Sequence, residues 1–171
     1  MIKEFYNENH NIEKIIPYEI FTDGSCKGGR FGGWAFTVTH DSHCIYYASG
    51  IENPSTNQRM ELTAAAEALE YISTKRRPHD LVILYSDSAY LINCYSQKWY
   101  EGWLQNGWTN SKGQSVSNKE LWERIIPYFQ HWWFSFQKVK GHADNFWNNK
   151  CDEMAQAAAE KCKMNWRLTN G

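Results

Sequence analysis

Glu19-Ile-Phe-Thr-Asp-Gly-Ser-Cys26 is the stretch on which the fold turns. Strand alternation sends Ile20 and Thr22 to one face, and Phe21 and Asp23 to the other. Gly24 loosens the backbone just after the carboxylate. A charge at the end of an otherwise apolar strand costs free energy unless a partner, a metal or water compensates it. Taken alone, Asp23 reads equally well as an Asp that caps its own turn. The rest of the chain decides, because it brings three more carboxylates to the ends of elements.

After Cys26, Lys27-Gly-Gly-Arg-Phe-Gly-Gly33 predicts a flexible turn with several positions suited to positive φ. Trp34–Thr39 and Cys44–Ser49 read as two further strands, joined by a hairpin turn at His40-Asp-Ser-His43. Three strands on short links imply an antiparallel meander. A loop at 53–57 leads into a helix from Gln58 to about Lys75, with Leu62, Ala65 or Ala66, Leu69 and Ile72 as its apolar stripe. Leu81-Val-Ile-Leu-Tyr85 is continuously apolar, as expected of a strand covered on both faces. A helix between two strands implies a right-handed parallel crossover. Short helices follow at about Ala89–Tyr95 and within Lys98–Trp108, then a protruding loop, 109–117. Asn118 is the expected cap of a helix to about Gln130. Phe134–Val139 alternates as a strand, Gly141–Trp147 is a loop, and Asn148 to about Lys163 is the last helix. The order is α/β: a mixed five-stranded sheet, its first three strands antiparallel and the rest parallel, with helices on both faces. Residues 1–17 are expected to be a mobile extension, 18–165 the folded domain and 166–171 a tail.

At 171 residues, with 42% hydrophobic and 16% aromatic content, the chain supports one domain with a substantial core. A net charge of -1 excludes an indiscriminate polycation, so a polyanionic partner must be held by a local patch or by metal ions. The 5 Cys are odd in number and contain no C-x-x-C pair, which argues against a disulfide framework and a structural zinc site. No signal peptide, bilayer-spanning run or lipidation motif is visible, so the expectation is a cytoplasmic protein with no membrane partner. Nine Trp is a rich supply, used either in the core or on a contact surface.

Asp87 ends the strand that the crossover rule places beside the first, parallel to it. Glu61 is expected in the first turn of the first long helix and Asp152 near the start of the last. Helix N-termini favour acids, which is the plain reading of each alone. Several acids at one spot repel one another and raise their pKa values, so a protein that keeps them together suits a hard divalent cation. Two Mg²⁺ roughly 3.5–4 Å apart suit in-line attack on a phosphodiester.

Ile20-Phe-Thr-Asp-Gly-Ser-Cys26, Thr56-Asn-Gln-Arg-Met-Glu-Leu62, Tyr85-Ser-Asp-Ser88, Val139-Lys-Gly-His-Ala143 and Cys151-Asp-Glu-Met-Ala155 resemble, in order and approximate spacing, the signature segments of type 1 ribonuclease H of the bacterial, single-domain kind. The resemblance spans about Glu19–Glu160. It implies an endoribonuclease that cuts the RNA strand of an RNA–DNA hybrid with Mg²⁺, or Mn²⁺ in its place, leaving 3′-hydroxyl and 5′-phosphate ends. It implies a monomer. By position, Asp23, Glu61, Asp87 and Asp152 match the family's metal-binding carboxylates, and His142 a loop histidine that assists proton transfer or product release. The resemblance also suggests that backbone amides at Cys26–Gly29, Gly28 among them, reach ribose hydroxyls. Asn57 and Gln58 suit the minor groove, Thr56 and Arg59 a DNA phosphate, and Trp99 and Trp103 lie in the family's substrate-binding protrusion.

The chain departs from the family in two places. The protrusion carries Leu104-Gln-Asn-Gly107 where familiar bacterial members carry Lys and Arg, and the glycine turn is shorter, though it holds Lys27 and Arg30. Two rival readings remain at this level. One is a transposase- or integrase-like strand-transfer enzyme whose third acid would be Glu120 or Glu123; the other is a non-catalytic hybrid-binding module.

Overall fold

The computed structural model describes residues 4–6, 12–131, 133–139 and 145–170. Two short strands, β1 (Glu4–Tyr6) and β2 (Ile12–Lys14), pair antiparallel within the stretch expected to be an unpatterned extension. The strand built on the opening motif is β3 (Tyr18–Lys27), and it occupies the centre of the main sheet. It pairs antiparallel with β4 (Phe31–His40), which pairs antiparallel with β5 (His43–Glu52). The β4–β5 turn places Asp41 and Ser42 at positive φ, as a two-residue hairpin requires. On the other side of β3 lie β6 (Val82–Ser86) and β7 (Phe134–Lys138), both parallel, giving the order β5-β4-β3-β6-β7.

Side chains of opposite parity face different helices. On one face Ile20, Phe36 and Val38 join Leu62, Leu69 and Ile72 of α1 (Asn57–Ser73) in the core. That core also takes Leu91 of α2 (Ala89–Ser96), Trp103 of α3 (Trp99–Gln105), and Trp122 and Ile125 of α4 (Lys119–His131). Arg124 of α4 clamps α1 by donating to Glu70 at 2.7 and 2.8 Å and to Glu67 at 2.7 Å. The opposite face is covered by α5 (Phe146–Asn170), through Cys151, Ala155 and Ala159.

From β3 onward the order of elements and the mixed sheet agree with the sequence reading; besides the added β1–β2 pair, three details differ. The last helix runs to Asn170, so the expected tail from 166 is helical. Asn118 does not cap α4 with its side chain: its backbone sits at φ 57, and its Oδ1 accepts from Arg59 Nη1 at 3.2 Å. Glu61 and Asp152 lie past the first turns of α1 and α5, neither of which contains an acid, so helix-dipole compensation does not account for them.

Two glycines show what close packing requires. A Cβ on Gly24 would overlap the backbone of Met60 and Glu61, where β3 crosses the start of α1. Gly102, in α3, has open space at the same position. Gly24→Ala is expected to cost roughly 2–4 kcal/mol in chemical denaturation, because backbone must move. Gly102→Ala should be neutral or stabilise by up to about 1 kcal/mol, through helix propensity and a less free unfolded chain.

Candidate active site

The parallel register brings two acids together. Phe21 of β3 pairs with Tyr85 of β6, so Asp23 and Asp87 each follow two residues later at the same edge of the sheet. Glu61 arrives from α1, because Gly24 lets the backbone of Met60 and Glu61 lie against β3 directly after Asp23. Asp152 arrives from α5, because the preceding residue is pinned. The Cys151 thiol donates to Phe21 O at 3.2 Å and to Thr37 Oγ1 at 3.4 Å, fixing this turn of the helix against β3 and β4.

Asp23 is the hub of the group. Burial, reinforced first by the charge of Asp87, raises its carboxyl from the ordinary 3.8 to about 7. Asp152 adds to the shift by its charge and by a side-chain hydrogen bond, while the Gly24 N–H, 2.7 Å from Oδ1, opposes it. Burial also raises Glu61, and Asp87 adds to that, against a hydrogen bond from Ser88. Gln156, one turn along α5, donates to Asp152 Oδ1 at 2.7 Å. All four acids thus fall within one another's fields through Asp23 and Asp87.

A hard divalent cation fits this donor set. The donors are oxygens, and a positive charge would relieve both the burial and the mutual repulsion that lift Asp23 and Glu61. Among the described residues, no three His, Cys, Asp or Glu side chains close into a ready-made cage. Burial pushes the Cys151 thiol up to about 12, so beside the acids it is a protonated packing group rather than a nucleophile.

The RNase H family model matches residues 17–160, across all of these elements. The ribonuclease H of Chlorobium limicola is 45% identical over 141 residues, covering 81% of this chain and 92% of that protein. That of Syntrophomonas wolfei is 42% identical over 140 residues, covering 81% and 93%. The chain belongs to the RNase H family. Among solved structures, LC9-RNase H1, a type 1 RNase H with the type 2 active-site motif, superposes with a TM-score of 0.72 at 25% identity, covering 86% of this chain and 74% of that one. LC11-RNase H1, solved in complex with an RNA/DNA hybrid, gives 0.64 at 21% identity, covering 84% and 97%; this shows the shared fold.

Within this RNase H chain the other expected site residues differ in exposure. Gly28 (φ 60), Thr56, Asn57 and Gln58 are exposed, on the β3–β4 turn and the start of α1 beside Glu61. Thr56 caps α1, accepting from Arg59 N at 3.1 Å, and Cys26 is half-buried with its thiol donating to Ser55 O at 3.3 Å. Trp103 is mainly a core residue, 7% exposed, with Trp99 half-buried against it and Tyr90. Together they line an open cleft of about 390 Å³ at the base of the 109–117 loop. His142 lies outside the described residues.

Arg59 corrects an expectation. Its guanidinium is not held out for a phosphate but is engaged by Glu52 of β5 and Glu120 of α4. Local periodicity gave no sign of either partner: Glu52 lies on the preceding strand, across the 53–56 loop, and Glu120 is 61 residues away. Ser88 and Gln156, which hold Glu61 and Asp152, were also missed. Only Gln156 left a signal, at i+4 from Asp152.

A carboxyl raised in the folded state binds its proton more tightly there than in the unfolded chain. Its stabilising contribution is therefore complete below pH 3.8 and is lost as pH rises through about 7. Asp23→Asn should accordingly raise the stability of the metal-free protein at pH 8, on the order of 2 kcal/mol after allowance for solvent screening. The gain should fade as pH falls toward 4. Thermal melts in EDTA across that range check both the sign and the window.

Proposed function

We propose that this protein is a metal-dependent endoribonuclease that hydrolyses the RNA strand of RNA–DNA hybrids, leaving 3′-hydroxyl and 5′-phosphate ends. One observation carries the reading. In an RNase H fold, Asp23 sits where burial, Asp87 and Asp152 together raise its carboxyl to about 7. Such crowding destabilises the free protein and suits a ligand of opposite charge.

Asp23, Glu61, Asp87 and Asp152 are the residues that would hold Mg²⁺, with Mn²⁺ as a substitute. Held there, such ions would supply activation of the attacking water and charge neutralisation at the departing oxygen. The chain's own contribution is placement. Asp23 and Asp87 share the sheet edge, Ser88 orients Glu61, and Gln156 orients Asp152. The exposed N–H groups of the β3–β4 turn, with Asn57 and Gln58, face the minor groove, where the 2′-hydroxyl marks the RNA strand. His142 is assigned proton transfer or product release, work to which an imidazole side chain is suited. Trp99, beside the cleft of α3, packs against the DNA strand. The enzyme acts as a monomer in the cytoplasm, with a catalytic domain that begins at about residue 18 and includes the whole of α5. Among the described residues no helix is long and apolar enough to cross a membrane.

A strand-transfer enzyme using Glu120 or Glu123 is disfavoured by their positions. Glu120 is bound by Arg59, and Glu123 by Lys119 at 3.5 Å. A pure binding module would not retain all four acids.

Incubation with a uniform RNA–DNA hybrid, a duplex with one ribonucleotide, double-stranded RNA and double-stranded DNA tests the assignment. The hybrid should be cut in Mg²⁺ and spared in EDTA. Asp23→Asn should lower turnover by at least about 10³-fold while hybrid binding persists, since charge is removed but bulk kept. Turnover within tenfold of wild type would remove Asp23 from the mechanism. With a protrusion that carries few cations, the slope of log K against log salt should be shallower than in a relative with a basic one. Each phosphate contact adds about 0.9 to that slope.

A further inference from the structure

The RNase H match ends at residue 160, yet α5 continues to Asn170. Glu160, Lys163, Trp166 and Arg167 recur at helical spacing on one side of this extension. That side meets the β3–β4 turn. Lys27 Nζ lies 3.5 Å from Glu160, and the Phe31 ring lies 5.7 Å from that of Trp166. The Arg30 guanidinium sits over the Trp166 ring, 5.0 Å from its centroid. Arg30 also donates through Nε to Asn53 Oδ1 at 2.9 Å, and its carbonyl accepts from Ser55 N at 2.8 Å. One exposed arginine therefore joins the end of α5, the turn after Asp23 and the loop that leads into Thr56 and Asn57.

Arg30 differs from Arg59 in a way that matters. Two carboxylates consume Arg59, whereas among the described residues no carboxylate pairs with Arg30. An indole face and one amide oxygen fix its plane and leave its terminal N–H groups unspent. The turn is open: Gly28 and Gly29 have positive φ and nothing within 4 Å of where a Cβ would stand. Lys27 lies four steps along the strand from Asp23, about 13 Å at 3.3 Å each, so the turn is a few nucleotides from any phosphate held at Asp23.

We propose that Arg30 contacts a sugar–phosphate group of the hybrid flanking the scissile position, and that Trp166 is a positioning residue that presents it. The helical extension thereby restores, at the β3–β4 turn, phosphate contact that the protrusion lacks. This rests on the hybrid-nuclease reading above. An unheld arginine on a glycine-rich turn would lose side-chain freedom on binding, and stacking on Trp166 removes that loss in advance.

Steady-state cleavage of a uniform hybrid by wild type, Trp166→Ala, Trp166→Phe, Arg30→Ala and the Trp166→Ala/Arg30→Ala double variant tests the proposal. Trp166→Ala and Arg30→Ala should each raise KM about 3- to 10-fold with kcat within twofold, and Phe at 166 should restore most of the loss. The double variant should be little worse than Arg30→Ala, because both changes remove one contact. The salt slope of binding should fall by about 0.9 in Arg30→Ala. An unchanged KM and slope in Arg30→Ala overturns the inference. So does a Trp166→Ala loss confined to melting temperature, or one that persists when Arg30 is already absent. Wild-type protein inert on the hybrid overturns the underlying reading as well, which separates the two failures.

Discussion

Negative charge crowded around Asp23 is the constraint on which the rest of the structure depends. Left free, Asp23, Glu61, Asp87 and Asp152 would separate, because repulsion between carboxylates in a partly buried corner outweighs anything they gain from one another. They are held by packing that none of them supplies. Ile20, Leu62, Leu69 and Leu84 form the core on one side of β3, and Cys151 and Ala155 press on the other. The elevated carboxyl of Asp23 records the unfavourable part of that arrangement.

Backbone contact sets the geometry more tightly than side chains do. Gly24 lets α1 approach β3 closely enough for Glu61 to follow Asp23 around the corner, and Gly33 lets α5 do the same on the opposite face, against the backbone of Ala155 and Ala159. Each absent Cβ removes one layer of separation between a strand and a helix that carries an acid. The Cys151 thiol, bonded to Phe21 O and Thr37 Oγ1, then sets the rotation of α5, and with it the direction of Asp152. Packing residues and acids alternate along these segments, which is why the motifs are compact.

Arginines outside the acid corner divide by their partners. Arg124 ties α4 to α1 through Glu67 and Glu70, and Arg59 ties α1 to β5 and α4 through Glu52 and Glu120. Both serve the scaffold. Arg30, stacked on an indole rather than paired with an acid, keeps its hydrogen-bonding capacity for a ligand. The tryptophans divide likewise: Trp122 and Trp103 are buried, while Trp99 and Trp166 are half-buried at the edges of open surface.

By itself, the sequence was enough to determine the order of strands and helices from β3 onward and the antiparallel-then-parallel sheet. Those follow from local alternation, from the crossover rule and from short motifs whose residues are neighbours in the chain. Helix ends were less legible: α5 outruns its expected stop by a turn and a half or more, because Trp166 gains a partner in Phe31 and Arg30 that lies far away in sequence. The fate of Arg59 was equally hidden, since Glu52 and Glu120 reach it only after β5, α1 and α4 have packed. Tertiary structure alone decided which charges are spent on one another and which face outward. Pairing depends on distances across the fold, and those do not exist until the chain has closed on itself.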